Sequence, residues 1–208
     1  MHDPRILVLY YSATGNVASI AHAIADGARS EGAEVRSRRV TETAPESAIA
    51  QNPRWQAYLE RPDLDPIVEL ADVEWCQGLA IGSPTRFGGP ASQLKAFLDQ
   101  TGGLWMRGEL ADKVCTSFTS ASTGHGGLES TILAMNNHFY HWGSLIMPLG
   151  YPDKHVLKNT GNPYGASFVA RSGSEPDDDA LQAAHTQGKR LAVTVTDLQH
   201  GRTGRNSA

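Results

Sequence analysis

Residues 6–11 (ILVLYY) are apolar or aromatic at every position, and this run, with the loop and the helical pattern directly after it, constrains the fold more than any other feature of the chain. The run breaks into Ser12-Ala13-Thr14-Gly15-Asn16. From Val17 the apolar positions Val17, Ile20, Ala21, Ile24, Ala25 and Ala28 then recur at helical spacing as far as Gly32. A strand without polar alternation is one covered on both faces, as in a parallel sheet. The later spacing predicts an amphipathic helix that a glycine ends. Strand, polar loop and helix open a βα unit, so the rest of the chain is read for repetitions of it.

Those repetitions are present. Residues 33–40 predict a short second strand whose Arg36, Arg38 and Arg39 suit a sheet edge. Residues 41–66 hold four prolines and read as a long connection with one or two helical turns, and a short helix begins over 67–71. A third strand is expected at 77–81, a Gly/Pro-rich loop at 82–90 and a helix at 91–100. A fourth strand follows at 113–119, a polar loop at 120–127 and a helix at 128–142. Strand five spans 144–149 and can resume at 167–170 after an irregular insertion at 151–165. A helix over 177–198 closes a single domain of residues 1–199, its Asp177-Asp178-Asp179 start matching the positive end of the helix dipole. Residues 200–208 read as a frayed tail. Five strands alternating with helices imply an α/β fold, a doubly wound five-stranded parallel sheet with helices on both faces.

Composition narrows the function. With 40% hydrophobic and 19% charged residues the 208-residue chain has a globular balance. Its net charge of −4, from 18 basic and 22 acidic residues, gives no electrostatic ground for binding nucleic acid. Two cysteines, Cys76 and Cys115, exclude a disulfide framework and suit a reduced interior. Without a secretory pattern in residues 1–5 or a run approaching a membrane span, the expectation is a soluble cytoplasmic protein with no membrane insertion.

In a doubly wound sheet, ligands bind outside the carboxyl ends of the strands, where three of the polar loops fall. Ser12, Ala13, Thr14, Gly15, Asn16 and Val17 offer hydroxyls and backbone amides at a helix N-terminus, which can hold a phosphate without any cationic side chain. The Lys-Ser/Thr pair of a triphosphate loop and the three spaced glycines of a dinucleotide loop are both absent, which favours a monophosphate; an ordinary capped turn is the alternative. In the second loop Pro84, Thr85, Arg86, Phe87 and Gly88 set a ring and a guanidinium among free amides, suited to a flat heterocycle or simply to a turn. The third, Ser120, Ala121, Ser122, Thr123, Gly124, His125 and Gly126, adds hydroxyls and one imidazole, or serves as a flexible helix entrance.

The set SATGNV, GSPTRFGG, LDQTGGLW at 98–105, STGHGG and PYGA at 163–166 resembles the WrbA family of flavodoxin-like NAD(P)H:quinone oxidoreductases along nearly the whole chain. The resemblance implies a flavodoxin-like strand order 2-1-3-4-5 and FMN as cofactor. The FMN phosphate would lie on Ser12 to Val17, its ring against Thr85, Arg86 and Phe87, and Ser120 to Gly126 on the other side. It further implies NADH or NADPH as co-substrate, a quinone as substrate, and a homotetramer, a dimer of dimers. In that assembly Trp105 and His141 match positions that border the flavin from a neighbouring subunit, Trp105 as a wall of the substrate slot. Thr14 falls where relatives carry a residue implicated in nicotinamide binding, and Trp142 stands where a second histidine often follows the first.

Rival readings are weaker. His138 and His141 can share a helix face with Glu129 some turns earlier, but no third metal ligand stands at a characteristic distance. A Gly-x-Ser-x-Gly elbow is missing, and Cys76 and Cys115 have no cationic sequence neighbour to make them reactive. A flavodoxin-type electron carrier is the main alternative to an enzyme, although −4 is a weak charge for steering redox partners. A DNA-binding or adaptor role has no basic helix to support it.

Overall fold

The computed structural model describes residues 3–152 and 154–206. Four parallel strands form the centre: β1 (Arg5–Tyr10), β2 (Glu34–Arg39), β3 (Gly78–Arg86) and β5 (Val114–Ala121). The order runs β2-β1-β3-β5-β6, as a doubly wound sheet requires, with β6 (Leu145–Ile146) pairing the first half of β5. The second half of β5 pairs β7 (Ser167–Val169) along the same edge, so the insertion splits one expected strand into two. The insertion and the hairpin strand β4 (Gly89–Pro90) bring the total to seven strands.

Alternation along the buried strands sends successive side chains to two cores. Ile6, Val8 and Tyr10 face α1 (Asn16–Arg29) and α8 (Asp178–Asn206). Leu7, Leu9 and Tyr11 face the opposite layer, made by α4 (Leu70–Trp75), α5 (Ser92–Leu98), α6 (Gly102–Met106) and α7 (Leu128–Trp142). Two short helices, α2 (Glu46–Ile49) and α3 (Pro53–Leu59), lie in the long connection after β2. The edge expectation for β2 holds: Arg36 and Arg38 both bond the Asp72 carboxylate, and the Arg36 guanidinium lies 4.0 Å from the centre of the Trp75 ring.

The first and last helices meet backbone to backbone at two glycines. A Cβ on Gly188 would stand 1.9 Å from the Ile24 carbonyl oxygen, and one on Gly27 would stand 2.0 Å from that of His185. Ala21, Ala25, Ala28, Ala184 and Ala192 line the rest of this seam, all buried. Such contact locks α1, and with it the loop that precedes it, to the body of the domain.

Several boundaries differ from expectation for identifiable reasons. β3 continues to Arg86 because its last residues pair with β4, which turns half of the expected 82–90 loop into a hairpin. The helix expected from 67 begins at Leu70, since Ile67 bridges to Arg39 as an extension of the sheet. Asp177 caps α8 instead of joining it, its side chain accepting from the Ala180 amide at 2.9 Å. Where a frayed tail was expected from 200, α8 runs to Asn206, and Arg202 pairs with Asp112 at 3.0 Å. Residues 207–208 of that expected tail and residues 1–2 of the expected start lie outside the described residues.

Candidate functional site

Three loops leave β1, β3 and β5, strands that lie side by side and parallel, so all three emerge on one rim. In the 12–17 loop the buried Ser12 hydroxyl accepts from the Gly15 amide at 3.1 Å. Gly15 has φ 96°, a left-handed conformation that side chains resist, although a Cβ there would meet the Tyr58 ring at an ordinary contact distance of 3.5 Å. No side chain caps the first turn of α1. Its amides therefore stay available at the positive end of a four-turn helix. Asn16 is buried and donates to the Ser174 carbonyl at 3.0 Å, which ties the loop to the segment before α8. Ala13 and Val17 are buried beneath it, and Thr14 is partly exposed.

The second loop is a two-residue hairpin turn. Phe87 and Gly88 both have positive φ, 51° and 80°, the requirement of a type I′ turn. Glycine accepts this without strain and phenylalanine does not. Phe87 is fully exposed, and Arg86 beside it is exposed too, its guanidinium bonding only the Thr85 carbonyl at 3.1 Å. Thr85 joins this hairpin to the third loop. Its hydroxyl accepts from the Gly88 amide at 3.3 Å and from Thr131 at 2.8 Å, and donates to the Gly126 carbonyl at 3.2 Å. In the third loop Ser120 and Ala121 are buried at the end of β5, while Ser122, Thr123, Gly124 and His125 stand exposed. The loop closes on Gly127, which starts α7 without a side-chain cap. The rim thus presents two uncapped helix starts flanking an arginine and a bare aromatic ring.

Trp105 and His141 are brought together, but elsewhere. The Trp105 indole donates to the His141 carbonyl at 2.9 Å, and both side chains are exposed. His141 sits in the last turn of α7, whose first residue adjoins the third loop. At 1.5 Å per residue, about 20 Å of helix separates that loop from His141.

One cluster escaped the sequence reading. Glu42, just past β2, accepts from the Tyr11 hydroxyl (2.8 Å), the Trp55 indole (3.0 Å), the Gln93 amide (2.8 Å) and the backbone amides of Thr43 and Ala44 (2.9 and 2.8 Å). Burial alone would raise its pKa, but the bonds from Ala44, Tyr11, Gln93 and Trp55 outweigh it and hold the carboxyl below its usual range. Burial and the bond to Glu42 push the Tyr11 hydroxyl up, against the nearby Arg86 charge. Side-chain partners 13 to 51 residues away in sequence left no local signal.

The remaining candidates resolve into structural roles. Burial pushes the Cys76 thiol up to about 11 and the Cys115 thiol higher still, which leaves both as inert core residues. His138 bonds the Met135 carbonyl and stacks edge-on to Trp142. Among the described residues no three His, Cys, Asp or Glu side chains are placed to hold a metal, and no helix is long and apolar enough to cross a membrane.

Residues 4–152 match the NADPH-dependent FMN reductase family. The chain is 38% identical to an NAD(P)H dehydrogenase (quinone) of Deinococcus radiodurans, over 92% of this chain and 96% of that protein. It is 42% identical to one of Paraburkholderia phymatum, over 93% and 98%. Among solved structures, a flavodoxin, WrbA-like protein from Agrobacterium tumefaciens superposes with a TM-score of 0.69 at 21% identity, covering 94% of this chain and 99% of that one. A flavodoxin from an archaeon superposes at 0.61 and 18%, covering 92% and 99%. The fold is flavodoxin-like, and the chain belongs to the NADPH-dependent FMN reductase family, in the WrbA-type group that its loop motifs resemble.

Proposed function

We propose that this chain is a cytoplasmic FMN-dependent NAD(P)H:quinone oxidoreductase. One observation carries the reading: an uncapped helix start and a strained hairpin bearing Arg86 and Phe87 lie on the same rim, bridged through Thr85 to the third loop. The names of relatives about 40% identical across nearly the whole chain support it.

The residues present fit FMN. A phosphate needs donors and no side chain crowding them, and Gly15 with the free first turn of α1 meets both conditions. Ser12, already accepting from Gly15, keeps its own hydroxyl hydrogen to donate to the anion. A flat ring needs an aromatic or apolar face and polar groups at its edge, which Phe87, Arg86 and Thr85 provide. Bound there, FMN would supply two-electron transfer between NAD(P)H and a quinone. The protein's part would be to bind and orient the ring and its substrate, with the exposed Arg86 supplying positive charge beside it. Thr14, partly exposed within the 12–17 loop, is the residue this reading assigns to the nucleotide, on the strength of the family resemblance.

Trp105 and His141 act, in this reading, on the flavin of a neighbouring subunit in a homotetramer. The 20 Å of helix between them and their own rim supports this, as does their exposure. Mixing a Trp105→Ala chain with a chain whose 12–17 loop cannot bind FMN then restores turnover, because some sites pair an intact loop with an intact tryptophan. If mixed assemblies form yet stay inactive, the shared site is wrong.

The function itself is tested anaerobically: the protein is loaded with FMN, NADH or NADPH is added, and flavin bleaching and its reversal by benzoquinone are followed. Bleaching and recovery are expected. Reduction by dithionite but by neither nucleotide would instead favour an electron carrier.

A further inference from the structure

Beyond the point where the sheet pairs β1 with β3, the Tyr11 amide donating to the Gly82 carbonyl at 3.0 Å, the Glu42 cluster adds a second tie among three segments. Tyr11 immediately precedes the 12–17 loop, Gln93 lies in the first turn of α5 just after the hairpin, and Trp55 belongs to α3 in the long connection. Gln93 also donates to the Tyr11 hydroxyl at 3.2 Å, which closes a triangle around the carboxylate. We propose that Glu42 is a positioning residue: by gathering donors from all three segments it sets the spacing between the phosphate loop and the Phe87 hairpin, and so where the flavin ring stands relative to its phosphate. This rests on the FMN reading above, but the arrangement of donors can be tested without FMN.

The site accepts a carboxylate and nothing else of that size. One oxygen of Glu42 faces Gln93 and two backbone amides, and the other faces Tyr11 and Trp55. A glutamine would turn its NH2 toward one of these sets. On the Tyr11 side the hydroxyl can rotate and accept, yet the Trp55 indole can only donate. Two donors then oppose each other in a half-buried site, and one segment must move away. Removing the indole N–H removes the conflict. Hence Glu42→Gln loses the spacing, and Glu42→Gln with Trp55→Phe regains it. A loss arising from damage to the fold at large would instead deepen with the second substitution.

The experiment compares the parent, Glu42→Gln, Trp55→Phe and the double variant. First, amide exchange is followed over residues 12–16 and 85–91 of the cofactor-free protein. In Glu42→Gln both stretches are expected to exchange about tenfold faster, together, and to slow again in the double variant. Second, FMN affinity and the rate of flavin reduction at saturating NADH are measured on the loaded proteins. A small misplacement of the ring is expected to cost about tenfold or more in that rate, with a smaller change in the KM for NADH, and the double variant recovers most of it. Unchanged exchange in Glu42→Gln, acceleration in only one stretch, or a double variant worse than Glu42→Gln overturns the proposal. A parent protein that fails to take up FMN would refute the functional reading instead, and the exchange result would still decide the role of Glu42.

Discussion

At the seam between α1 and α8, Gly27 and Gly188 leave no room for a methyl group, whereas on the rim Phe87 stands in solvent on a backbone conformation that aromatic residues avoid. The first arrangement spends no side chain and gains close contact between two helices. The second carries local strain and an exposed apolar ring, with nothing in the single chain to offset either. Residues at the seam are explained by volume alone, whereas the exposed and strained Phe87 is explained, in the proposed reading, by a ligand on the rim. The same helix connects the two: α1 is clamped along its length by the seam and offers its free first turn to the rim.

The largest expected effect comes from breaking the seam. Gly188→Ala puts a carbon 1.9 Å from a backbone oxygen, far inside van der Waals contact, so the helices must separate. A loss of about 3 kcal/mol in urea unfolding is expected, at the upper end for overpacking. FMN affinity of the molecules that remain folded should fall as well, because the seam holds the loop that precedes α1. A stability loss below about 0.5 kcal/mol would mean that the seam is looser than described.

Phe87→Asn tests the rim in the opposite sense. Asparagine tolerates positive φ, so stability should hold or rise by up to about 1 kcal/mol. Turnover with quinone should fall about tenfold through loss of the ring contact. Should stability drop while turnover persists, the ring packs on the protein and not on a ligand.

A smaller effect sharpens the connection between the two regions. Asp65, in the long connection, accepts from the Tyr10 hydroxyl at 2.8 Å and lies 2.9 Å from His22 Nε2 on α1. Burial raises its pKa, but the bonds from His22 and Tyr10 prevail and hold it below the ordinary carboxylate value. A folded pKa below the unfolded one adds stability at pH above the unfolded value, near 3.9, which disappears as pH falls through the folded value. Asp65→Asn should therefore cost about 1 kcal/mol at pH 7, allowing for solvent screening, and flatten part of the acid side of the stability profile. An unaltered profile below pH 5 would show that the pair contributes nothing there.

The same contrast explains what the sequence revealed. The unbroken run at 6–11 and the helical spacing from Val17 made β1, α1 and the parallel sheet legible, because burial on both faces leaves its mark on every residue. The positions of the three loops followed from strand order. The extension of β3 into the hairpin was hidden, because Phe87 gives no sequence cue for positive φ. Glu42 was hidden because its donors converge only in three dimensions. Trp105 and His141 could be named through family likeness, and the expected helix over 128–142 already set His141 about four turns from the third loop, but the bond from the Trp105 indole to the His141 carbonyl emerged only in three dimensions.

The central claim is that the 12–17 loop holds a phosphate whose flavin lies along the rim. Its most direct test is to titrate the cofactor-free protein with FMN and with riboflavin, following flavin fluorescence, in the parent and in Ser12→Ala/Thr14→Ala. The account predicts that the parent prefers FMN by about a hundredfold, as expected of a few charge-assisted hydrogen bonds, and that most of this preference vanishes in the double variant. Equal affinity for the two flavins in the parent, or a preference that survives both substitutions, would contradict it.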